Sequence, residues 1–79
     1  MNMTSEMLYE TVKASVSNHI KKDFTDTTNL LGITSVRNII YILTDLEDKV
    51  GLKITDSFVN QMKEFTIENL TKRMQNYLE

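Results

Sequence analysis

SVRNIIYILTDLEDKVG, from Ser35 to Gly51, decides the fold. At roughly 100° per residue, Val36, Ile39, Leu43, Leu46 and Val50 fall on one stripe, with Ile40 and Ile42 at its margins. Arg37, Tyr41, Thr44, Asp45 and Asp48 lie away from it. The spacing predicts an amphipathic helix that begins at Ser35 and runs to about Lys49. Ser35 suits the N-cap, where a hydroxyl satisfies an amide that has no partner inside the helix. Gly51 suits the other end, where a left-handed residue stops the helix.

Upstream, SEMLYETVKASVSNHIKK places Leu8, Val12, Val16, His19 and Ile20 at helical spacing. Thr4 or Ser5 caps its start, Glu6 suits the positive end of the dipole, and Lys21 and Lys22 suit the negative end. A helix is expected from about Ser5 to Lys21. The connecting DFTDTTNLLG is rich in Asp, Thr and Asn and reads as a loop pinned by Phe24, Leu30 and Leu31. Its oxygens lack the spacing and terminal glutamate of a calcium-binding loop. Downstream, a short third helix is expected over Asp56 to Met62, capped by Thr55 or Asp56. Thr66 opens a fourth, with Ile67, Leu70, Met74 and Leu78 facing inward. The expected architecture is all-α, a small four-helix bundle with a short third helix. Its core should join Val36, Ile39, Leu43, Leu46, Leu70 and Met74.

Composition sets the bounds. With 79 residues, the chain supports one domain, spanning residues 1–79, since a second core would bury almost nothing. Typical per-residue stabilities put the whole at roughly 4–12 kcal/mol. Proline and cysteine are absent, and the glycines are Gly32 and Gly51 alone. Neither a disulfide nor a thiolate metal site is available, which suits a reducing cytoplasm. No apolar run approaches the roughly 20 residues of a membrane span. A net charge of −2 with scattered basic residues lacks the electrostatic footprint of nucleic-acid binding. His19, the single histidine, has no nucleophile to pair with and reads as structural. No zinc ligand set, P-loop or dinucleotide glycine pattern is present. The chain is not expected to be an enzyme.

Ser35 has a second property. A phosphate on its hydroxyl would face the positive end of a helix and its free N–H groups, so the position suits a phosphoester. LGITSV around it resembles the L-G-x-[DH]-S-[LI] signature of the acyl carrier and peptidyl carrier protein family. Ser35 stands at that family's modified serine and Val36 at the apolar residue after it. LEDKVGLKI resembles the acidic end of the family's second helix and the run into its third. FTIENLTKRM resembles the T-x-x-x-L opening of its last helix, with Thr66 and Leu70 at the matching positions. The likeness extends from about Asn29 to Leu78.

The resemblance implies a carrier whose Ser35 receives 4′-phosphopantetheine from coenzyme A through a separate phosphopantetheinyl transferase. Acyl or aminoacyl intermediates would then ride as thioesters on that arm. Partners would include a loading ligase and downstream biosynthetic enzymes, docking around Thr34, Val36, Arg37 and Tyr41 of a cytoplasmic monomer. Thr34 stands where many members have Asp or His, and Arg37 stands near a position often acidic in fatty-acid carriers. These departures favour polyketide, nonribosomal peptide or related specialised biosynthesis over fatty-acid synthesis. A helical interaction module without a prosthetic group is the alternative of a different class.

Overall fold

The computed structural model describes residues 4–54, 59–60 and 62–78. Three α-helices and one 3-10 turn organise them: α1 (Ser5–His19), the turn (Leu30–Gly32), α2 (Val36–Val50) and α3 (Ile67–Leu78). The fold is all-α, with no strand among the described residues. The short helix expected over Asp56 to Met62 lies mostly outside them. Within its span, the Met62 N–H donates to the Val59 carbonyl at 3.1 Å.

α1 is the central element, packed against both α2 and α3. Leu8, Val12, Val16 and Ile20 meet Ile39, Ile42, Leu43 and Leu46 of α2 and Ile67, Leu70 and Met74 of α3 in one cluster. Leu30 and Phe65 join it from the connections. Each helix opens on a hydroxyl cap, as expected from its local sequence. Thr4 Oγ1 accepts from the Met7 N–H at 3.1 Å, Ser35 Oγ from the Asn38 N–H at 3.2 Å, and Thr66 Oγ1 from the Asn69 N–H at 3.0 Å. Gly51 closes α2 at φ 76°, its N–H bonded to the Glu47 carbonyl at 2.9 Å. That left-handed conformation is the one glycine adopts without steric cost.

Five expectations are corrected, the first being Leu31, which does not pin its loop but stands 49% exposed. α1 ends at His19, short of Lys21, because Ile20 turns extended (φ −120°, ψ 120°) and enters the core. Val36, expected in the core, is 65% exposed, whereas Ile42, placed at the margin of the stripe, is 0% exposed. Asp45, read as facing away, is half-buried and accepts from the Ser15 hydroxyl at 2.7 Å. One cause explains both α2 corrections. Asn38 and Asp45 hydrogen-bond to α1, at the His19 carbonyl and at Ser15, and so set the rotation of the helix. Val36 lies two positions, about 200°, from Asn38 and is thereby turned outward. Leu78, expected inward, is 37% exposed. Gln75 Nε2 donates to Ser5 Oγ at the first residue of α1, so the last turn of α3 runs beyond that helix.

The loop between α1 and α2 is stitched at both flanks. The Tyr9 hydroxyl donates to the Asp26 carboxylate, 2.9 and 3.0 Å from its two oxygens. The bond pushes the Tyr9 phenol pKa up, since it is made by the protonated form. The Asp26 carbonyl accepts from the Glu68 N–H at 3.1 Å, and the Leu30 N–H donates to the Phe65 carbonyl at 2.8 Å. These bonds fix the loop against α1 and the entry to α3, and so hold the approach to Ser35.

Candidate attachment site at the start of the second helix

The approach to Ser35 is built from short-range turns. Asn29 caps the 3-10 turn, and the Gly32, Ile33 and Thr34 N–H groups bond back to the carbonyls of Asn29, Leu30 and Leu30 at 3.0, 3.1 and 3.1 Å. The chain then extends through Ser35 (φ −78°, ψ 158°) before α2 begins. Ser35 is exposed. Its oxygen takes the Asn38 N–H, while its own O–H remains a donor and the oxygen a nucleophile facing water. No carboxylate occupies the first turn of α2. A phosphoester formed here would meet the positive helix end without a neighbouring negative charge in that turn.

The residues expected to receive partners divide between two faces. Val36, exposed, lines a groove of ≈ 520 Å³ together with Leu31, Ile40, Leu43, Ile54, Val59 and Phe65. Thr44, Glu47 and Asn60 supply its polar edge. Arg37 and Tyr41, one turn apart and both exposed, lie on the adjoining face of α2. Tyr41 is 54% exposed, so its ring does not lie sealed against neighbours. Thr34, half-buried, faces inward: its Oγ1 accepts from Asn38 Nδ2 at 2.8 Å. The structure therefore gathers Ser35, Val36, Arg37 and Tyr41 on the accessible start of α2 and assigns Thr34 to the frame beneath.

The sequence reading missed Asn38 and the groove. Asn38 Nδ2 also donates to the His19 carbonyl at 2.7 Å, joining the end of α1 to the residue before Ser35. Its only local signal is a polar side chain in the first turn, which any solvent-facing residue would give. The groove has a clearer one, since Val36, Ile40 and Leu43 make the apolar surface of α2 wider than one buried stripe.

Asp45 and His19 lie behind the site, each hydrogen-bonded to Ser15 of α1. The Ser15 hydrogen bond, aided by Lys49 3.1 Å away, holds the Asp45 carboxyl below the usual carboxylate range. His19 Nδ1 lies 2.8 Å from the Ser15 carbonyl, which only accepts, so this nitrogen carries the proton. Among the described residues, no group of three or more His, Cys, Asp and Glu is placed to hold a metal ion. Nor is any described helix long and apolar enough to cross a membrane. The chain matches no protein-family model, no curated protein and no solved structure.

Proposed function

We propose that the chain is a covalent carrier, with Ser35 as the attachment point for 4′-phosphopantetheine. The observation that carries this reading is the Ser35 hydroxyl itself, exposed at the start of α2 on an extended residue, with no acidic side chain in the first turn. The arm, once attached, would supply a terminal thiol that holds an acyl or aminoacyl group as a thioester. The chain's own residues do the rest. The first-turn amides offset the phosphate charge, the stitched loop presents the hydroxyl, and the exposed face of α2 meets partner enzymes. No catalytic side chain is needed, because tethering alone raises the local concentration of the intermediate at each partner.

This reading brings with it a four-helix arrangement, with a short helix after Ile54, and a cytoplasmic monomer acting in polyketide, nonribosomal peptide or related biosynthesis. The apolar groove that begins at Val36, one residue beyond the attachment point, supports apolar cargo over a purely polar one. The exposed Leu31, Val36, Ile40 and Tyr41 equally suit an interaction module that is never modified. Incubation with coenzyme A and a broad-specificity phosphopantetheinyl transferase, followed by intact-mass measurement, separates the two. The carrier gains the mass of one arm and Ser35→Ala gains none. A wild-type mass that stays unchanged favours the unmodified module.

A further inference from the structure

One side chain links three parts of the attachment site. Asn38 Nδ2 sits 2.7 Å from the His19 carbonyl and 2.8 Å from Thr34 Oγ1, while the Asn38 backbone N–H reaches Ser35 Oγ at 3.2 Å. A carbonyl can only accept, so the amide must present its NH2 group to His19, and that group's two hydrogens serve the two side-chain contacts. His19 is the last residue of α1, and its carbonyl has no partner within that helix. Asn38 thus closes an orphan acceptor on one element and grips the residue before Ser35 with the same amide. The gripped segment is otherwise held by the turn bonds from Ile33 and Thr34 to the Leu30 carbonyl.

We propose that Asn38 is the positioning residue of this site: by tying Thr34 to the carbonyl end of α1 it fixes the orientation in which an enzyme meets the Ser35 hydroxyl. The inference rests on the carrier reading and deepens it. Asn38 touches neither the arm nor the reacting oxygen with its side chain. Its effect is on the fraction of molecules whose loop is already in the receiving conformation, and apparent affinity falls in proportion to that fraction.

Two full-length variants test it. Asn38→Ala removes both donors. Asn38→Asp keeps the shape but presents a carboxylate to the His19 carbonyl, while adding a charge that the helix start favours. Helix stability and loop restraint are thereby pulled in opposite directions. With coenzyme A and a broad-specificity transferase, at a temperature where both variants are folded, kcat/KM should fall about tenfold in Asn38→Ala, as expected for losing two hydrogen bonds. It should also fall in Asn38→Asp, where the Thr34 hydroxyl can turn to donate but the His19 carbonyl is left facing a carboxylate. Amide hydrogen exchange at Ile33 and Thr34 should quicken in both by more than it does at Val12 and Leu70, whose rates follow global stability. A residue that merely stabilised the fold would change the melting temperature and leave kcat/KM alone. A labelled wild type with unaltered kcat/KM in both variants, or loop exchange that does not change, overturns the role of Asn38 alone. A wild-type chain that accepts no arm overturns the carrier reading and this inference with it.

Discussion

Replacing Ile42 by alanine tests the rotation of α2, on which the exposure of the site depends. Ile42 is 0% exposed at the face of α2 that meets α1. The substitution removes three carbons, about 2.4 kcal/mol of transfer free energy at 0.8 kcal/mol per methylene. A partly unrelaxed cavity raises the expected cost into the range of about 2–5 kcal/mol. A chain of 79 residues has only roughly 4–12 kcal/mol in total, so the variant should melt tens of degrees lower or fail to fold. Ile42→Val keeps the test quantitative at about 0.5–1.5 kcal/mol. Val36→Ala, on a residue 65% exposed, should lie within about 0.5 kcal/mol of wild type. Urea unfolding followed by circular dichroism gives all three values, read from midpoints with an unchanged slope. A costly Val36→Ala beside a neutral Ile42→Val would refute the rotation, and would place Val36 in the core and away from partners.

Ser15→Ala should cost about 1–2 kcal/mol, at or just below the low end of the range for a bond to a charged group, since the Asp45 side chain is still 27% exposed. That bond lowers the folded pKa of Asp45, so its stabilisation is complete above the ordinary carboxylate pKa, about 3.9, and is lost as pH falls through the depressed folded value. Acid titration of stability should therefore be shallower in Ser15→Ala, and an identical acid limb would count against the bond. Gly51→Ala, forced to φ 76°, should cost about 1–2 kcal/mol in the same urea assay, and a neutral or stabilising result would contradict the left-handed cap. Tyr41→Ala and Arg37→Glu should each slow modification by a broad-specificity transferase about fivefold, with weak salt dependence. A transferase that grips acidic helices should modify the wild type poorly, and its fast, mutation-insensitive action would exclude this face as the recognition surface.

The parts of the fold that were legible in the sequence are those set by neighbours along the chain. Thr4, Ser35 and Thr66 cap because a hydroxyl three residues before an N–H needs no tertiary partner, and Gly51 stops α2 for a similarly local reason. The rotation of α2 was not legible, because it is decided by Asn38 and Asp45 reaching across to α1. Apolar periodicity alone accommodates Val36 and Ile42 on overlapping stripes, and two polar bonds between distant residues choose between them. The end of α1 escaped for a related reason, since burial of Ile20 outweighs the helical spacing that extends to Lys21. At the site, Ser35 stood out by its cap position and its flanking signature. Only the α2 wall of the groove, the wide apolar surface of Val36, Ile40 and Leu43, was legible there, because Leu31, Ile54, Val59 and Phe65 reach α2 only once the chain has folded.

On the proposed reading, the Ser35 oxygen and no other forms the phosphoester. Peptide mapping by tandem mass spectrometry, after reaction of the full chain with coenzyme A and a broad-specificity transferase, tests it most directly. One arm should be found, on the peptide containing Ser35, and fragment ions should place it on that residue. An arm on Ser5, Ser15, Ser17 or Ser57, or one that persists in Ser35→Ala, would contradict the account.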